Sequence, residues 1–269
     1  MTERRRYAYR YTTESTFVPE VEYHFFKFRM IPCINVCQQT LEQQITVTPA
    51  CQLLHAVDGL GNAVQYGSLC EPHGQLRIVS QGVVECRPYV LPDNAPSHLW
   101  LCASPLVAWD QELRSWAERQ ALQQMPPLGR KEHRMALSLM AAVHHHVQYQ
   151  RFVTDNATSA LDVFRLRQGV CQDYAHLLIA ACRSIGLHAR YVNGLVEGEG
   201  ETHAWVEVYD GEAWHGYDPT HNQLIRWGYI KLAHGRDVSD CPSNRGRIYG
   251  WTTETMTVNC NIGIIVKSK

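Results

Sequence analysis

With 269 residues the chain can hold one large domain or two ordinary ones. Apolar residues make up 45% and charged residues 19%, the balance of a folded chain rather than a disordered one. The formal net charge is -1, and the one like-charged cluster, Arg4-Arg5-Arg6, is too short to hold nucleic acid or a membrane surface, so neither partner is expected.

The opening "MTERRRYAYRYTTES" is basic but has no apolar run behind it, so no secretory leader is expected and the cytoplasm is the expected compartment. No apolar run approaches the ~20 residues of a spanning helix. The ten cysteines sit in a chain able to build a core unaided and are expected as free thiols. Cys33 and Cys37 are closely spaced, but no second ligand pair follows, so a zinc site is not expected.

Residues 5 to about 90 read as short strands: "YAYRYTT", "VEYHFFKFRM", "EQQITVTP", "CQLLHAVD", "NAVQYGSL" and "QLRIVSQGVVECRPY". They are rich in β-branched and aromatic residues, and Pro49, Asp58-Gly59, Gly61-Asn62, Pro72 and Gly74 punctuate them. A β-sandwich domain over 1–90 follows. "VEYHFFKFRM" is expected to be a buried strand rather than a ligand platform. The stretch 91–130 holds five of the twelve prolines and reads as a linker with one helix, about 107 to 123. From Lys131 the pattern becomes helical in "KEHRMALSLMAAVHHHVQYQ", and a second helix opens at Cys171. Strands return in "HARYVNGLVE", "THAWVEVYD", "EAWHGYDPT" and "TTETMTVNCNIGIIV". The expectation for 131–269 is an α+β domain, helices packed on an antiparallel sheet, with the late strands closing it.

In "RLRQGVCQDYAHLLIAACRSIGL" a cysteine lies on the first turn of a helix whose apolar stripe runs through 174, 175, 177, 178, 181 and 185. Unpaired backbone N–H groups and the positive end of the helix dipole stabilise a thiolate there, and can also receive an oxyanion. Cys182, inside the apolar stripe, is the inert comparison. Asp173 is expected to stabilise the helix start, and His176 to pack in the core.

A thiolate nucleophile needs a base, and the base an orienting carboxylate. In "ETHAWVEVYDGEAWHGYDPTHN" two strands flank Asp210-Gly211, a favoured two-residue hairpin turn. That turn sets 209 against 212 and 207 against 214, and His203 directly opposite Asp218, where Cβ atoms lie ~4.5–5.5 Å apart. A histidine alone in a strand is usually structural, and the chain has fourteen; its pairing with a carboxylate, downstream of a helix-tip cysteine, distinguishes this one. His144, His145 and His146 diverge by ~100° per residue on a helix and cannot converge on one ion. "EGEGE" at 197–201 reads as a glycine-spaced loop, not a calcium site.

"GVCQDYAHL", "HAWVEVY" and "YDPTHN", in this order, resemble the transglutaminase-like superfamily, most closely its bacterial branch of transglutaminase-like cysteine proteases. The region from "FVPEVEYHFFKFRMIPC" to "PHGQLRIVSQGVVE" resembles that branch's N-terminal β domain, so the resemblance spans roughly residues 10 to 250. It implies a papain/transglutaminase-like core and acyl transfer from the amide carbonyl of a peptide or protein substrate. Cys171 would be the nucleophile, His203 the base and Asp218 the orienting acid. The Cys171 N–H would donate to the oxyanion, helped by a side chain from Gln148 or Tyr149, with Gln172 beside the thiol. No cofactor and no metal are implied, since no acidic cluster carries over the calcium of animal transglutaminases. Hydrolysis by a cysteine peptidase or amidase ranks first, transamidation of glutamine second, and a catalytically silent binding module third. The segment "CPSNRGRIYGWTTETM" is expected to pass near the cleft.

Overall fold

The computed structural model describes residues 3–93, 95–123 and 126–265. The first strand, Arg5–Val21, alternates faithfully: Tyr7, Tyr9, Tyr11, Thr13 and Ser15 point inward and their neighbours outward. It is the centre of a five-stranded sheet, with His73–Cys86 and then Gln38–Thr48 on one side. A four-stranded sheet, ordered Asn244–Tyr249, Tyr23–Phe28, Ala63–Leu69, Leu54–Val57, shares its core, where Tyr7, Tyr11, Phe26, Phe28 and Ile78 are fully buried. The strand Tyr23–Phe28 is buried on one face only; Tyr23 and Phe25 point outward and are about half exposed.

The late strands do not close the C-terminal domain. Thr253–Ile264 pairs antiparallel with Arg5–Val21, from Tyr7 opposite Ile264 to Val18 opposite Thr253, and Asn244–Tyr249 pairs with Tyr23–Phe28. The chain thus returns to its first sheet. Alternation of apolar residues marks a strand but does not specify which distant edge it joins. The stretch 197–201, expected as a loop, contains a short strand, Gly198–Gly200, on the far edge of Thr253–Ile264. This strand ties the two parts of the molecule together.

The second sheet system runs Gln223–Leu224, Ala213–Asp218, His203–Tyr209, Ala189–Val196, Tyr229–Gly235, with Val90–Pro92 also paired to Ala213–Asp218. Among the described residues four α-helices accompany it: α1 (Gln111–Leu122), α2 (Lys131–His146), α3 (Ala160–Leu166) and α4 (Cys171–Ser184). Helix α1 starts later than position 107 because the Asp110 carboxylate caps it, accepting the Leu113 N–H at 2.9 Å. Helix α3 has only seven residues, too few for a periodic pattern, yet carries a capping box formed by Ser159 and Asp162.

Alternation on the strands decides what covers each face. Tyr191, Ala204, Val206, Val208 and Tyr217 face the helices, while Val192, Trp205 and Trp214 face Tyr89, Leu91 and Trp100. The proline-containing segment is therefore a cover for the sheet as well as a connection. Between the layers Glu207 is wholly buried and accepts from Lys231 Nζ (2.8 and 2.9 Å), Arg190 Nε and the Tyr89 hydroxyl (2.6 Å). Burial alone would raise this carboxyl; the two cations hold it far below the usual range. No described helix is long and apolar enough to cross a membrane.

Candidate active site

The nucleophile candidate is positioned by a close approach. Gly169 lies in a two-residue strand paired parallel with Gln148–Tyr149, and a Cβ there would meet the Asp173 carboxylate at 2.5 Å. Only glycine lets that carboxylate tuck beneath the strand. Asp173 Oδ2 then accepts the Val170 N–H and the Thr154 hydroxyl, both at 2.7 Å, which fixes the start of α4. Asp173 is thus used in holding the helix start, and burial raises its carboxyl. Cys171, the first residue of the helix, remains partly exposed on top of it.

Other thiols have no such position. All ten cysteines are free, and burial pushes Cys86, Cys182 and Cys260 up to about 12.

His203 begins the strand His203–Tyr209, and Asp218 ends Ala213–Asp218. They are not directly opposed. Tyr209 pairs with Trp214 and Val206 with Tyr217, so the turn is Gly211-Glu212 rather than Asp210-Gly211. Asp210 still belongs to the ladder, its N–H bonded to the Ala213 carbonyl at 3.0 Å, while its side chain accepts the Glu212 and Ala213 N–H groups. Gly211 takes φ +102 as the first turn residue, the place where a hairpin of this kind wants glycine. His203 and Asp218 are consequently diagonal neighbours, and the side chains close the gap: Nε2 lies 2.7 Å from Oδ2.

Asp218 is wholly buried and saturated. Oδ2 also accepts from the Tyr229 hydroxyl and His221 Nδ1, both at 2.7 Å, and Oδ1 accepts the N–H groups of Thr220 (2.9 Å) and His221 (3.2 Å). Burial alone would raise this carboxyl, but hydrogen bonds from His203 and His221 and the neighbouring imidazolium hold it far below its ordinary range. The converse holds for His203. Burial alone would lower it, yet the bond to Asp218, and after it the influence of Cys171, raises it from 6.5 to about 10. Because Asp218 is a carboxylate, Nε2 must donate to it, which leaves Nδ1 as the ring nitrogen available to exchange a proton.

Cys171 and His203 open into one cleft of about 390 Å³, walled by Tyr149, Val196, Glu199 and Thr202 among others. Of the three supporting residues expected, Tyr149 alone lines it. Gln148 is exposed outside it, and Gln172 turns into a neighbouring cavity of about 300 Å³ with Asn156 and Ser243. The segment after Cys241 lines that second cavity through Ser243 and Asn244, and not the cleft.

Sequence reasoning missed His221 and Tyr229. His221 is three residues past Asp218, in a turn that "DPTHN" advertises; Tyr229 comes from a strand not foreseen. Atoms of His203, Asp218 and His221 lie within 4.8 Å of one another, and both imidazoles hydrogen-bond to the shared carboxylate. His144 and His146 bond separately, to the Pro219 and Phe164 carbonyls, and His145 is exposed. His176 is wholly buried, accepts the Val238 N–H at 3.3 Å and is pushed down to about 4 by burial.

A helix-tip thiol and an imidazole–carboxylate pair on adjacent strands, opening into one cleft, suit cysteine-based catalysis. Residues 114–219 match the transglutaminase-like superfamily and residues 7–85 the bacterial transglutaminase-like N-terminal region. The domain that holds the site is thus transglutaminase-like, and the N-terminal sheets match the region that precedes it in bacterial relatives. An uncharacterized protein of Mycobacterium tuberculosis H37Rv is 27% identical over 97% of this chain and 92% of its own length. One from Mycobacterium leprae is 28% identical over 82% of this chain and 85% of its own. The fold is that of a Cytophaga hutchinsonii protein described as a candidate cysteine protease, with a TM-score of 0.81, 21% identity, and coverage of 100% of this chain and 93% of that one.

Proposed function

We propose that the protein hydrolyses amide bonds in peptide or protein substrates through Cys171, His203 and Asp218. The observation that carries this reading is the 2.7 Å bond from His203 to a wholly buried Asp218, on an imidazole that opens into the same cleft as Cys171. The Cys171 thiolate attacks the carbonyl carbon, and the oxyanion is received by the Cys171 N–H and, from the cleft wall, by Tyr149. His203 gives its proton to the departing amine, and the C–N bond breaks to leave a thioester. Water then attacks the thioester, His203 taking its proton, and the thiolate leaves with the acid released.

Hydrolysis is favoured over transfer to an amine because the rim is open to solvent: Tyr149 is 48% exposed. Water therefore reaches the thioester unless an acceptor is bound in its place.

Alkylation by iodoacetamide at low pH should modify Cys171 before the other nine cysteines. Incubation with a glutamine-containing peptide, with and without a primary amine, then distinguishes the outcomes by product mass. Backbone cleavage or ammonia release supports hydrolysis, and amine incorporation moves the assignment to transamidation. Uniform labelling with no product leaves a binding module and removes the catalytic reading.

A further inference from the structure

The turn at 151–153, between Gln148–Tyr149 and α3, carries a feature the triad does not use. Phe152 is 97% exposed and has φ 64, the left-handed region that bulky side chains avoid. Exposure and backbone strain both speak against phenylalanine here, and asparagine or glycine would relieve both. The turn is nonetheless firmly held. The Gln150 N–H donates to the Gly169 carbonyl at 2.9 Å, and the Thr154 hydroxyl to Asp173 at 2.7 Å. Residues on either side of Phe152 are thus bonded to residues on either side of Cys171. Arg151 adds an ion pair to Glu201 on the facing wall, at 3.2 Å.

The phenyl ring is therefore presented from a braced turn, on the wall of the cleft that contains Cys171 and His203. Tyr149 and Val196 lie on the same lining, so three residues with apolar surface share the cleft with Cys171. A strained phenyl standing free in solvent, on a turn bonded to the nucleophile's own anchors, has an explanation if its apolar partner arrives with the substrate.

We propose that Phe152, with Tyr149 and Val196, forms a subsite for a large apolar side chain of the substrate, making peptides with a leucine- or phenylalanine-like residue beside the attacked carbonyl the preferred class. This rests on the assignment of Cys171 as nucleophile. Phe152 determines specificity and takes no part in the bond changes.

Blocked dipeptidyl chloromethyl ketones that differ only in the residue next to the warhead test this without requiring turnover, since the Cys171 sulfur displaces chloride to form a thioether. Rates are referred to iodoacetamide, which has no side chain to place. The leucine and phenylalanine probes should outpace the alanine probe by roughly ten- to hundredfold. Phe152→Asn should abolish that advantage and leave the iodoacetamide rate intact. Its melting temperature should hold or rise, because asparagine tolerates the left-handed backbone. Equal rates for all probes in the native protein, or an unchanged preference in the variant, overturn the subsite. Failure of iodoacetamide to single out Cys171 in the native protein instead removes the nucleophile, and the subsite with it.

Discussion

Replacing Asp218 with asparagine separates an orienting carboxylate from a merely buried one. The carboxamide keeps the side chain's shape, and its oxygen can still accept the Thr220 and His221 N–H groups. At the Oδ2 position, however, His203 Nε2, His221 Nδ1 and the Tyr229 hydroxyl, each 2.7 Å away, would face an NH2 that accepts nothing. His203 can meet that group only by accepting at Nε2, which moves its proton to Nδ1, the nitrogen required to take the thiol proton. The ring then has no lone pair for the thiol proton. The rise of His203 from 6.5 to about 10 corresponds to about 5 kcal/mol of preference for the imidazolium, shared between Asp218 and Cys171. Losing the carboxylate's share and the correct tautomer should lower kcat/KM on a peptide amide by about 10³- to 10⁴-fold. Linkage gives a second readout. A raised histidine stabilises the native state fully below pH 6.5 and loses that contribution as pH climbs through about 10, so urea-unfolding free energy should fall across this window. In Asp218→Asn the fall should flatten. A variant that keeps native turnover and the native pH profile of Cys171 alkylation refutes the assignment of Asp218.

His221→Ala removes one donor from Asp218 and costs about 1 kcal/mol, so turnover should drop by no more than about tenfold; a loss equal to that of Asp218→Asn makes His221 the working imidazole. Gly169→Ala forces a methyl to 2.5 Å from the Asp173 carboxylate and should destabilise the fold by about 1–3 kcal/mol in calorimetry, with an unchanged melting temperature counting against the close approach. Glu207→Gln leaves Lys231 and Arg190 buried without their anion, and should cost about 3–5 kcal/mol in urea denaturation. A neutral result there shows that the two cations find other partners.

Local physics made some elements legible and left others hidden. Helix α4 and its thiol were readable because the apolar stripe, the preceding glycine and the early-turn Asp173 all act within one turn of the chain. The strand Arg5–Val21 was readable because one face is buried along its length. The destination of Thr253–Ile264 was not, since its inward residues Cys260 and Ile262 would satisfy any sheet with a free edge. Tyr229–Gly235 escaped notice because almost all of it is buried, so no alternation marks it as a strand. Gln172 follows the nucleophile in sequence, yet one step along a helix turns a side chain by ~100°, away from the cleft.

The His203–Asp218 pairing survived a wrong register, and the reason is geometric. Moving a two-residue turn one position along a hairpin leaves its length unchanged but shifts every cross-strand partner by two. With a side-chain period of two, that displacement keeps both residues on the same face and makes opposed neighbours diagonal. Only a slip of one strand by a single residue along its partner would send Asp218 to the other side of the sheet. The face shared by His203 and Asp218 is therefore a sturdier property of this segment than their alignment. A residue inserted after Gly211 enlarges the loop and leaves the ladder in place, so it should preserve catalysis, as should a Glu212→Asn substitution, which suits the same turn.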